Sequence, residues 1–151
     1  MPVIDPTKVA LKQHSTYPSP FDAPCHGKSS LRLSDAGGLT QFGAHLFTLP
    51  PGAWSSQRHH HSAEDEFTYI LSGNPTFIDN DGETILGPGD VTCHPAGDEN
   101  AHHMINHTDK EVTFLTVGSR RPESDHCRYP DIDLDLPPNG TAQRVYQSKE
   151  D

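Results

Sequence analysis

The apolar residues of this chain fall in short runs rather than along a helical stripe. Residues 30–33, 39–49, 66–71, 76–79, 83–86, 91–93, 102–106 and 111–117 form these runs, which as a set are rich in Val, Ile, Thr, Phe and Tyr. Those residue types fit a pleated, half-buried surface. Turn formers stand between the runs: Gly37-Gly38, Pro50-Pro51-Gly52, Ser72-Gly73-Asn74-Pro75 and Gly87-Pro88-Gly89-Asp90. Asp81-Gly82 separates two runs and predicts a tight β-hairpin. No stretch of helical length keeps a clean helical period, and no repeat of solenoid length is visible. Many short strands at regular spacing predict an all-β sandwich or barrel.

The two ends read differently. Residues 1–30 carry Pro2, Pro6, Pro18, Pro20 and Pro24, which predicts an extended N-terminal arm rather than a helix. Residues 119–151 form a second irregular segment with Pro122, Pro130, Pro137 and Pro138, a C-terminal tail packing on the barrel. The barrel itself is expected over residues 31–118. A length of 151 residues suits one domain with a real core.

Composition narrows the function. The formal net charge is -10 with neutral histidines. That disfavours nucleic acid and anionic membrane as partners, because like charges repel. An anionic small molecule stays possible where a metal or a local Arg reverses the field. Cys25, Cys93 and Cys127 are odd in number and widely spaced, without a C-x-x-C, so a disulfide framework is not expected. No apolar run has the length of a signal peptide or a membrane span. The expected setting is reducing and cytoplasmic. The sequons at Asn106 and Asn139 are then chance matches.

The chemistry gathers in RHHHSAEDEF, residues 58–67. On a strand His59 and His61 point to one face and His60 to the other, so two imidazoles stand side by side. Glu66 can add an oxygen ligand. Imidazole with carboxylate suits Zn, Fe, Ni, Mn or Cu rather than Mg or Ca. An isolated H-x-H is more often solvated polarity than a ligand pair. A second cluster changes that weighting: Asn100-Ala101-His102-His103-Met104-Ile105-Asn106-His107 also lies in a strand-like run. By alternation His102, Met104 and Asn106 share a face. Thr68 and Ile70 share a face with Glu66. Cys93 could face the pocket, Trp54 and Arg58 flank the first pair, and Tyr69 reads as a core residue between sheets. No P-loop, dinucleotide fingerprint, nucleophile elbow or H-E-x-x-H is present.

These two stretches resemble the paired signatures of the cupin superfamily. Pro51-Gly52, His59, His61, Glu66 and Gly73 match the first; Gly89, Pro95, Gly97, His102 and Asn106 match the second. The interval from Gly52 to His59 is one residue longer than the usual pattern, and that from Gly97 to His102 two longer. His103 therefore competes with His102 as the last ligand. The resemblance covers roughly residues 39–118. Its finer features (Val117-Gly118-Ser119-Arg120 and Tyr129-Pro130-Asp131-Ile132-Asp133-Leu134) are similar to small metal-binding cupins sometimes labelled sugar-phosphate-isomerase-like.

The resemblance implies a double-stranded β-helix, or jelly-roll barrel, holding one divalent transition metal ion (Zn, Fe, Mn or Ni). Its ligands would be His59, His61, Glu66 and His102. Cupins of this kind include isomerases, dioxygenases, decarboxylases and lyases, and fold does not choose among them. The expected function is a metal-dependent enzyme acting on a small polar metabolite, with the catalytic acid and base unknown. The alternative is a non-catalytic cupin that binds a small ligand as sensor or carrier. A homodimer is expected, because an arm exchanged with a second subunit would cover exposed strand edges.

Overall fold

The computed structural model describes residues 2–141 and 143–149. Twelve strands appear among them: β1 (Leu11–Lys12), β2 (Ser29–Arg32), β3 (Phe42–Leu49), β4 (His60–His61), β5 (Glu66–Ser72), β6 (Thr76–Asp79), β7 (Gly82–Ile85), β8 (Val91–His94), β9 (His103–Ile105), β10 (Val112–Ser119), β11 (Cys127–Arg128) and β12 (Asp135–Leu136). A single four-residue α-turn, α1 (Leu33–Ala36), stands beside them. Among the described residues no helix is long and apolar enough to cross a membrane.

Six strands form one antiparallel sheet in the order β1-β2-β3-β10-β5-β8. Two three-stranded sheets, β7-β6-β9 and β12-β11-β4, lie on the other side. Isolated bridges from Trp54 to Ile105 and from His59 to His102 join them into one continuous face. Leu49, Ile70, Val112 and Phe114 of the large sheet pack with Met104 and Phe77 of the opposite one. This is the jelly-roll barrel of a double-stranded β-helix. The Phe47 and Phe114 rings stack at 5.3 Å in the same core.

The ends of the chain add to both sheets. In the arm, β1 pairs with β2, Leu11 opposite Leu31 and Lys12 opposite Ser30. The arm also contains two single 3₁₀ turns, Pro6–Lys8 and Ala23–Cys25, so its prolines start turns as well as extend the chain. In the tail, β11 lies between β4 and β12, with Cys127 opposite His61. A second small core forms where the ends meet: Tyr17 and Phe21 of the arm pack on Tyr129, Leu134 and Tyr146.

Three details differ from the sequence expectation. The hairpin is present, but Asp79 pairs with Gly82, so the loop is Asn80-Asp81 and Gly82 opens β7 with φ of 130°. The Asp79 carboxylate accepts from the Asp81 amide at 2.9 Å and fixes that turn. Tyr69 is not between the sheets. It is 39% exposed and stands on the outer face with Phe67 and Leu71. Cys93 pairs with Phe67 on that face, is exposed, and points away from the pocket.

Candidate metal centre

The barrel's inward face places the residues of the first histidine cluster. Register aligns Gly43 of β3, Gly118 of β10, Glu66 of β5 and His94 of β8 in one row across the large sheet. Opposite them, the chain leaving the His59 bridge runs into β4 and presents His59 and His61 to Glu66. Their rings lie 5.0 Å apart, nearly perpendicular. His61 Nε2 is 3.6 Å and His59 Nε2 3.7 Å from Glu66 Oε2.

His102 arrives from the second cluster through its backbone bridge to His59. Its Nε2 lies 3.1 Å from Glu66 Oε1. One ligand atom from each of His59, Glu66 and His102 falls within 4.8 Å of the others. His103 turns elsewhere. Its Nδ1 meets the Ser56 carbonyl at 2.8 Å and its ring stands edge-on to Trp54. Three imidazoles, His59, His61 and His102, thus surround the Glu66 carboxylate and His103 stands outside; His59, Glu66 and His102 form one close triad, while His61 groups with His59 and Cys127 and with Glu64 and Asp125.

The contacts behind the imidazoles decide what they can do. His59 Nδ1–H donates to the Gln57 carbonyl at 2.9 Å. His61 Nδ1–H donates to Asp125 Oδ2 at 2.7 Å. With Nδ1–H committed to these acceptors, Nε2 is the nitrogen left to bind a cation in place of a proton, and in both rings Nε2 faces Glu66. That arrangement is how ligating histidines are held and made more basic. Asp125 is itself held, since Oδ1 accepts from the Ala63 and Glu64 amides at 2.9 and 3.2 Å. His102 differs: its Nδ1 is buried with no hydrogen-bond partner among the described residues, and its ring is stacked on His94 at 3.4 Å between centroids.

Charge follows the geometry. Burial would raise the Glu66 carboxyl, but the three imidazoles around it, His102 first and then His59 and His61, outweigh burial and hold Glu66 well below the usual range. Burial lowers His61, yet Asp125 and Glu66 push that imidazole well above its ordinary value. His59 goes the other way, down to about 4, chiefly through burial. An ionised carboxylate among three crowded imidazoles suits a borderline-soft divalent cation.

Sequence reasoning did not find Asp125, His94 or Cys127. Cys127 is buried beside His59 and His61, with its thiol pushed up by burial. Asp125 follows His61 by sixty-four positions, a separation no local motif spans. Of the flanking residues, Arg58 forms a two-point ion pair with Asp131, both bonds 2.8 Å, and Trp54 packs on His103. A cavity of about 290 Å³ opens in front of the cluster.

The Cupin domain family matches residues 45–118. A solved structure described as a sugar phosphate isomerase from a cupin superfamily, from Silicibacter pomeroyi, is 40% identical to this chain. The match covers 99% of this chain and 94% of that one, with a TM-score of 0.92. The oxalate-binding protein of Thermotoga maritima is 36% identical over 69 residues, 46% of this chain. That match spans about half of the relative's length, 54%. The polyketide cyclase RemF from Streptomyces resistomycificus shares the fold, with a TM-score of 0.69, 21% identity and 87% of each chain covered.

Proposed function

Because this chain belongs to the cupin superfamily, we propose that it is a metal-dependent enzyme acting on a small polar metabolite, with one divalent transition metal ion (Zn, Fe, Mn or Ni) held by His59, His61, Glu66 and His102. The observation that carries this reading is the pair of Nδ1 anchors, Gln57 O on His59 and Asp125 on His61, which turn both Nε2 atoms toward Glu66. A bound ion would supply Lewis acidity to a carbonyl or a water, as isomerases and lyases use it, and a redox-active Fe(II) would supply the O₂ chemistry of dioxygenases. The description of the Silicibacter protein favours isomerisation among the three.

The chain's own residues supply the rest. Gln57 and Asp125 hold the imidazoles still. Thr68 and Thr116 share a hydroxyl hydrogen bond of 3.0 Å on the cavity wall beside Glu66 and give a substrate oxygen a partner. The test is elemental analysis of protein purified without a histidine tag, beside the His59→Ala, His61→Ala double variant. The wild type should carry close to one metal ion per chain and the variant almost none. Equal metal in both removes the site.

A second reading is a non-catalytic cupin that holds a small ligand as sensor or carrier. The oxalate-binding relative favours it. Ligand binding by metal-loaded protein, with no turnover across isomerase, lyase and oxygenase substrates, decides for this reading.

The proposal extends to setting and assembly. Three free cysteines, one of them exposed, support a reducing cytoplasmic compartment. The exposed Phe67, Tyr69, Leu71 and Val91 on the outer sheet support a homodimer. A monomer mass by light scattering at micromolar concentration removes the dimer.

A further inference from the structure

The geometry points to an anion-binding wall: Lys12, Lys28, Arg32 and Arg144 receive the terminal phosphate or carboxylate of a substrate long enough to reach the metal centre from the opposite side of the cavity. This inference rests on the proposed function for the reacting end of that substrate, and on the cavity alone for its charged end.

The chain is strongly acidic, yet five of its eleven lysines and arginines line this one cavity. One of the five, Arg120, is neutralised by Asp35. The other four form no ion pair with a carboxylate among the described residues; the ion pairs found there belong to other side chains. Lys28 is half-buried, and among the described residues its ammonium meets the Ser55 carbonyl at 2.7 Å and the face of Phe47 at 5.2 Å. Burial lowers its pKa, and Arg144, Lys12 and Arg32 lower it further by repulsion. Lys12 is lowered in the same way, by burial and then by Arg32 and Arg144. Cations gathered this closely without counter-charges are destabilising until an anion arrives.

Glu64, Asp65 and Glu66 also line the cavity, but two of them are already engaged on the metal side. Glu64 accepts from the Arg121 amide at 2.7 Å and Asp65 from the Ala96 amide at 2.7 Å. The cavity is therefore graded: Arg32 and Lys12 on the β1–β2 side, Arg144 near enough to Glu64 and Cys127 to act on both, and the imidazole–carboxylate cluster beyond.

Register sets the span. Arg32 of β2, His45 of β3, Thr116 of β10 and Thr68 of β5 stand in one row across the sheet. Three strand spacings separate Arg32 from Thr68, roughly 14 Å of backbone. Glu66 is the next inward residue along β5. A two-carbon dicarboxylate is too short to touch both ends. A chain of about five carbons with one terminal anion matches the polarity of the cavity and fits its volume.

Inorganic phosphate, ribose 5-phosphate, ribonate and oxalate serve as probes, titrated by calorimetry at low ionic strength into chelator-treated full-length protein. Phosphate and at least one five-carbon probe should bind, and the Lys12→Met, Arg32→Met double variant should bind at least tenfold more weakly. Arg144→Gln, remote from the main core, should weaken binding in the same direction, which keeps the test usable if the double variant melts early. Tighter binding of ribose 5-phosphate assigns a phosphate, and tighter binding of ribonate a carboxylate. No binding of any five-carbon probe, equal affinity in folded variants, or oxalate binding tightest overturns the inference. Because the protein is metal-free throughout, elemental analysis fails or succeeds independently of this result.

Discussion

His61 donates from Nδ1 to Asp125 Oδ2 at 2.7 Å, and so ties the first histidine cluster to the tail of the chain. The contact sets the tautomer of His61 and orients its ring toward Glu66. Asp125→Asn should weaken metal binding by roughly ten- to a hundredfold while the fold is retained. Competition against a chromogenic chelator measures it. An unchanged affinity would show that Asp125 does no more than shape the loop at Ala63 and Glu64.

The two adjacent histidines at 102 and 103 should separate cleanly. His102→Ala should abolish the rise in melting temperature that metal gives the wild type, about 2.7 kcal/mol of stabilisation at a hundredfold excess over Kd. His103→Ala should keep that rise, since its ring faces Ser56 and Trp54. The reverse pattern assigns the last ligand to His103.

Acid should destabilise the metal-free protein before its carboxylates titrate. Burial holds His45 down to about 4, with Arg32 and Arg120 adding to the effect and Asp35 opposing it. His94 is also lowered to about 4, by burial and then by His102. Unfolded histidine titrates near pH 6.5. Between those values the unfolded chain binds more protons, so stability falls as pH drops from about 6.5 toward 4. His45→Gln should flatten part of that decline in urea midpoints measured against pH. An unaltered slope means that His45 is protonated at no cost in the folded state.

Ile70 is fully buried on the same face of β5 as Glu66 and packs in the main core. Ile70→Ala should cost about 2–5 kcal/mol by leaving a cavity between the sheets. Chemical denaturation checks this. A loss below about 1 kcal/mol would mean that the two sheets close over the gap.

The strands of the barrel were legible because alternation and turn residues coincide. Residues 76–79 are bounded by Asn74-Pro75 and Asn80-Asp81, and the structure forms β6 over them. The strands β1, β11 and β12 were not legible, because two residues carry no period. Alternation also tells which residues share a face, not which face is inside. On β5 the outer face carries Phe67, Tyr69 and Leu71, while the inner face carries Glu66 and Thr68 beside Ile70. A polar centre inside the barrel inverts the usual rule, so Tyr69, which reads as core from alternation, stands on the outer face. His59, His61, Glu66 and His102 stand out in the sequence through the resemblance of two short stretches to the cupin signatures. Asp125 and the four cations do not, because Lys12, Lys28, Asp125 and Arg144 come from the two end segments, Arg32 comes from β2, and they meet only after the sheets have closed.

The meeting of Tyr17 with Tyr129 and Tyr146, edge to face at 5.7 and 5.5 Å, fastens the first residues of the chain to the last. Lys12 and Arg144 lie just outside that clasp, on the two strands of polypeptide it holds. A protease nicking either terminus would leave the barrel standing but unlatch its rim, so loss of charge recognition should precede loss of shape during digestion.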